Sequence, residues 1–144
     1  MAPTRRAGAL TGLLVLALAP AASAQADPAL DRARAVERDL VALIDRVSQA
    51  FVVIGGGSGV IVSPEGDILT NDHVAGSRDV GQMWTVMRPG GKLEQAKMIG
   101  KDPRGDIALL RLQGPGPYPY VEMADSDALV AGDTVIALGN PFGF

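Results

Sequence analysis

Gly57-Ser58-Gly59-Val60-Ile61-Val62-Ser63-Pro64-Glu65-Gly66-Asp67-Ile68-Leu69-Thr70-Asn71-Asp72-His73-Val74 is an apolar run, a turn and a second apolar run that ends on a histidine. Val60, Ile61 and Val62 are all β-branched, a choice that suits a pleated strand. Ser63-Pro64-Glu65-Gly66 supplies the proline and glycine of a tight turn. Ile68-Leu69 then leads to His73, the single histidine of the chain. The pattern predicts a hairpin that delivers His73 to the end of its second strand.

Working outward, the next informative residue is Asp106, at the head of Ile107-Ala108-Leu109-Leu110. The near-continuous apolar run from Ile107 to Leu112 predicts a strand buried on both faces. Before it, Lys101-Asp102-Pro103-Arg104-Gly105 reads as a polar turn. Met83 to Arg88 and Leu93 to Ile99 flank Pro89-Gly90-Gly91 and predict another hairpin. Imperfect alternation in its second strand predicts a bulge there. Phe51 to Ile54 opens the β region, and Gly55 to Gly59 reads as a flexible turn. Gln113 to Pro119 is a connecting loop, Asp125 to Leu129 a short capped turn, and Thr134 to Leu138 a last strand.

Composition agrees with this reading. The 144 residues suffice for one ordinary domain, and 47% of them are hydrophobic, enough to build a core. Eighteen glycines and ten prolines, spread between short β-rich runs, point to an all-β domain with many turns. A net charge of −3 and no basic stripe exclude a nucleic-acid binder.

The amino terminus follows a different logic. Arg5 and Arg6 form a basic region, Leu10 to Ala19 a short apolar core, and Ala22-Ser23-Ala24 a small-residue cleavage site. This predicts a signal peptide over residues 1–24, cut before Gln25, and no stable membrane anchor. The absence of cysteine excludes a disulfide framework. Export without disulfides fits a periplasmic or secreted protein. Asp27-Pro28 then opens a helix. Ala33, Val36, Leu40, Leu43 or Ile44, and Val47 recur at helical spacing, so residues 25–50 hold an amphipathic leading helix. Its stripe packs either on the domain's own core or in an oligomer.

The chemistry suggested is nucleophilic. A serine hydroxyl needs an imidazole to take its proton and a carboxylate to hold that imidazole in the right tautomer. His73 suits the base and Asp106 the carboxylate. Asp72 is the neighbour of His73, but adjacent side chains diverge, and Asp102 is the weaker rival of Asp106. No serine stands in a recognisable nucleophile context. Val60 occupies the place where a nucleophile elbow around Ser58 would need glycine. The glycines before it are no phosphate loop, because no Lys-Ser or Lys-Thr follows.

The residues from Gly57 to Val74 resemble the histidine region of the HtrA/Deg family of trypsin-like serine proteases. Asp102-Pro103-Arg104-Gly105-Asp106-Ile107-Ala108-Leu109-Leu110 resembles that family's aspartate region. Ala124-Asp125-Ser126-Asp127, Val130-Ala131-Gly132-Asp133 and Ala137-Leu138-Gly139-Asn140-Pro141-Phe142-Gly143 resemble its segment between two β-barrels. The resemblance implies a two-barrel fold, with residues 51–144 forming the first barrel and the crossover. It implies His73 as general base and Asp106 as its orienting acid, with neither metal nor other cofactor. It further implies cleavage of unfolded or misfolded protein substrates, and a possible homotrimer. The family's Gly-Asn-Ser-Gly-Gly block, oxyanion hole and specificity pocket are expected beyond Phe144. Asp72 stands where the family more usually has asparagine. The alternative is a catalytically inactive domain that binds peptides or a protease partner through strand edges.

Overall fold

The computed structural model describes residues 27–76 and 78–140. The predicted signal peptide, Ser77 and the last four residues lie outside this range. The first described element is the helix α1 (Pro28–Ser48). Asp27 caps it, its carboxylate accepting the Ala29 N–H at 2.9 Å, and Pro28 occupies the first turn, where no N–H is needed. None of its residues is buried. Val36 is 68% exposed and Leu40 39%. The stripe is therefore not covered by the barrel core; Val36, Leu40, Leu43 and Val47 instead form one wall of an open groove.

Six strands follow: β1 (Phe51–Ile54), β2 (Gly57–Ile61), β3 (Asp67–Thr70), β4 (Met83–Arg88), β5 (Lys92–Asp102) and β6 (Ile107–Leu112). Between β3 and β4 lies the four-residue helix α2 (Asp72–Ala75). All strand pairs are antiparallel, in the order β1-β2-β3-β6-β5-β4, and β1 pairs back onto β4 to close a barrel. Closure removes every open edge among these strands. Alternation then sorts the side chains: Val52, Ile54, Ile61, Ile68, Val86, Met98 and Leu110 point inward and are fully buried.

The β1–β2 turn is shorter than the glycine run suggests, because the ladder already begins at Ile54↔Gly57. Gly59 is inside the strand for a steric reason. A Cβ there would stand 2.7 Å from Ile68 Cγ2 and 3.0 Å from the Leu69 carbonyl oxygen. The expected bulge in β5 is present, as a register shift between Met98 and Gly100.

Two strand expectations are corrected. β6 is buried on one face only: Ala108, Leu110 and Leu112 are inside, whereas Ile107 is 50% exposed and Arg111 is also exposed. A closed barrel has an inner and an outer surface, so even a nearly all-apolar strand turns alternate residues outward. Residues 134–138 form no strand among the described residues, and Val135 is 72% exposed. A strand exists only through a ladder, and the barrel offers this segment no free edge. It is anchored to β2 by Asn140, whose N–H donates to Ser58 Oγ at 2.7 Å. The crossover before it is fastened to the barrel base, where the Tyr118 N–H donates to the Pro64 carbonyl at 3.0 Å and the Val121 N–H to the Ile61 carbonyl at 3.0 Å. The capped turn at 126–128 is as expected, with Asp125 accepting the Asp127 N–H.

Candidate active site

His73 is the second residue of α2, which starts as soon as β3 ends. Asn71, extended at φ −82° and ψ 148°, turns the chain from strand to helix. Asp106 sits at the tip of the β5–β6 turn, just before β6. β3 and β6 are neighbours in register, with Thr70 opposite Ala108. This pairing carries the ends of both strands to one rim of the barrel, so residues 33 apart in sequence meet there.

The contact is close. His73 Nδ1 lies 2.7 Å from Asp106 Oδ2. The His73 backbone N–H donates to Asp106 Oδ1 at 3.0 Å. Asn71 Nδ2 donates to the Asp106 carbonyl at 3.1 Å and to its Oδ2 at 3.3 Å. Asp106 adopts φ 53°, the left-handed region that aspartate and asparagine enter more easily than other side chains. The bond from the His73 backbone N–H, then that from its ring, holds the Asp106 carboxyl below the usual carboxylate range. An ionised carboxylate can only accept, so Nδ1 carries the imidazole proton and the lone pair resides on Nε2. The imidazole is thus held in the tautomer whose Nε2 is able to accept a proton.

The side chains of His73 and Asp106 are 71% and 44% exposed. His73 borders the open groove, which encloses about 1480 Å³. The stripe of α1, the β2 residues Gly57 to Val60, and Thr134, Ile136 and Leu138 all line it. The site therefore opens onto a largely apolar groove.

The rival carboxylates lie elsewhere. Asp72 Oδ1 is buried without a hydrogen-bond partner among the described residues, and no bond joins it to His73. Asp102 accepts the Arg104 N–H at 3.0 Å, closing its own turn. Ser63 donates to Asp67 Oδ2 at 2.9 Å on the opposite part of the hairpin. Ser58 lines the groove, but its hydroxyl receives the Asn140 N–H. Sequence reasoning overlooked Asn71, and it weighed Ser58 only as a nucleophile, missing its bond to Asn140. The signal for Asn71 was its place ahead of a helix start, which was hidden because residues 69–74 read as a strand end.

Residues 57–144 match the trypsin-like peptidase domain family. The periplasmic serine endoprotease DegP of Escherichia coli (strain K12) is 46% identical over 95 residues, covering 66% of this chain and 19% of that protein. A probable periplasmic serine endoprotease, DegP-like, of Ectopseudomonas mendocina (strain ymp) is 45% identical over 89 residues, 61% of this chain and 18% of that protein. A probable periplasmic serine protease, do/HhoA-like, of Haemophilus influenzae is 44% identical over 90 residues, 62% of this chain and 19% of that protein. The matched stretch thus spans about a fifth of the length of these curated relatives. With its closed six-stranded barrel, the chain belongs to the family of trypsin-like peptidase domains, of the HtrA/Deg type.

Proposed function

We propose that the protein is a serine-type endopeptidase in which His73 is the general base and Asp106 its orienting acid. The observation that carries this reading is the 2.7 Å contact between His73 Nδ1 and Asp106 Oδ2, backed by the bond from the His73 N–H to the same carboxylate. A serine from sequence after Phe144, on a second barrel, attacks the scissile carbonyl. His73 Nε2 takes the serine proton and returns it to the leaving amine, while Asp106 stabilises the imidazolium between the two transfers. Nothing in these steps requires a metal or another cofactor.

The proposal extends to the setting. Residues 1–24 are a signal peptide, residues 25–50 a leading helix, and residues 51–144 the first barrel and the crossover. The mature protein works in the periplasm or outside the cell, as the names of its relatives and the apolar leader suggest. No helix of the described residues is long and apolar enough to cross a membrane. The substrates are unfolded or misfolded proteins, whose extended segments suit an open apolar groove, and the working unit is a homotrimer.

The test is hydrolysis of a labelled unfolded protein by the full-length enzyme. His73→Ala should lower kcat by about 10⁴-fold or more, with an unchanged far-UV spectrum. Retention of activity would remove His73 from the mechanism. Wild-type protein that bound the substrate without ever cleaving it would support the peptide-binding alternative instead.

A further inference from the structure

Asn71 holds the N-cap position of α2, where an asparagine ordinarily bonds a backbone N–H of its own first turn. It makes no such bond. Its amide donates instead to two oxygens of Asp106, the backbone carbonyl at 3.1 Å and Oδ2 at 3.3 Å. The missing cap comes from across the rim, where Asp106 Oδ1 accepts the His73 N–H at 3.0 Å. The two residues have exchanged tasks: the aspartate caps the helix, and the asparagine secures the aspartate.

Asp106 needs securing. It is the one non-glycine residue with positive φ among the described residues. An L-residue is disfavoured in that region, so its surroundings must hold it there. The bond from Asn71 to the Asp106 carbonyl fixes the peptide that follows the strained φ. The bond to Oδ2 fixes the rotation of the carboxylate, on the oxygen that faces His73 Nδ1. With Asp106 only partly covered by protein, no surrounding wall takes over this role.

We propose that Asn71 is a positioning residue for the hydrolysis: it holds Asp106 in its left-handed conformation with Oδ2 aimed at the imidazole. This inference rests on the reading of His73 and Asp106 as base and orienting acid. It separates cleanly from a plain capping role. Serine and aspartate cap helices about as well as asparagine, but serine is too short to reach Asp106 and aspartate has no donor to offer.

The experiment measures kcat and KM for Asn71→Ser and Asn71→Asp in the full-length enzyme, with His73→Ala alongside and thermal melts of each. A misdirected carboxylate should lower kcat by ~10- to 100-fold in both Asn71 variants, with KM within about twofold of wild type. His73→Ala should fall below both. Wild-type kcat in Asn71→Ser would overturn the proposal, whether or not Asn71→Asp folds. A loss of kcat matched by an equal loss of folded protein would overturn it too. Should His73→Ala stay active, the base assignment itself fails. An inactive His73→Ala beside a fully active Asn71→Ser sinks only the role of Asn71.

Discussion

At the scale of single residues, the site depends on a backbone conformation as much as on two side chains. Asp106 at φ 53° turns the chain into β6 and aims its carboxylate back across the rim. Asparagine tolerates the same conformation, which makes Asp106→Asn an informative change. It keeps the turn but presents an amide to Nδ1 and loses control of the tautomer. We expect a fall in kcat of about 10⁴-fold with the cooperative fold retained, measured by steady-state kinetics and calorimetry. Activity near wild type would mean that His73 needs no orienting charge. His73 and Asp106 were singled out from the quoted motifs, and the structure brings the two side chains together. The left-handed backbone of Asp106 and the diverted Asn71 side chain were not legible there. Both follow from a contact 35 residues away, which no local pattern encodes.

At the scale of elements, most turns and strand starts were read well, because glycine and proline mark them directly, although β2 begins inside the glycine run that was read as a turn. The errors came from apolar runs. A run such as Ile107 to Leu112 does not say which alternate residues a barrel will turn outward. The corrected strand predicts unequal costs. Leu110→Ala should destabilise the protein by about 2–5 kcal/mol, since it leaves a cavity in a fully buried position. Ile107→Ala, at a half-exposed position, should cost under about 1 kcal/mol. Urea denaturation of the two variants checks the pair, and equal costs would argue for a strand covered on both faces. Gly59→Ala should cost about 1–3 kcal/mol by the same measurement, because its Cβ meets the Leu69 backbone as well as the Ile68 side chain. A neutral Gly59→Ala would mean that β2 and β3 can separate slightly without loss. The helix α1 was legible from its cap and its period, but the partner of its stripe was not, since periodicity names a face and never what covers it.

At the scale of the whole molecule, three carboxylates among the described residues are held below their ordinary range and shape the response to acid. Asp67 is held below its ordinary 3.8 by the Arg111 guanidinium, which it meets at 2.7 Å and 3.0 Å, with the Ser63 hydroxyl helping against the opposing cost of burial. Burial pushes Glu94 up, but bonds from Lys92 and Arg88 outweigh it and bring the group below 4.5. Asp106 is lowered by His73. A carboxyl depressed in the folded state stabilises the fold above its unfolded value, and that contribution is lost as pH falls through the lower folded value. Stability should therefore be flat with respect to these groups between pH 6 and 8, and should decline from about pH 4 downward. Urea midpoints at pH 7 and pH 3 measure this, and a midpoint that rose on acidification would contradict the assignment. The all-β class was legible in the short strand-like runs and their turns, and the barrel only through the family resemblance; its closure depends on β1 returning to β4 through Val53↔Met87 and Ile54↔Val86. The register of β3 on β6 has a temporal consequence. His73 acquires its carboxylate only when segments 33 residues apart have zipped together, and such distant pairings form slowly compared with local hairpins. A nascent or half-folded chain thus carries an imidazole that nothing orients. The paired imidazole and carboxylate therefore belong to the finished fold alone, and no partly zipped intermediate holds them.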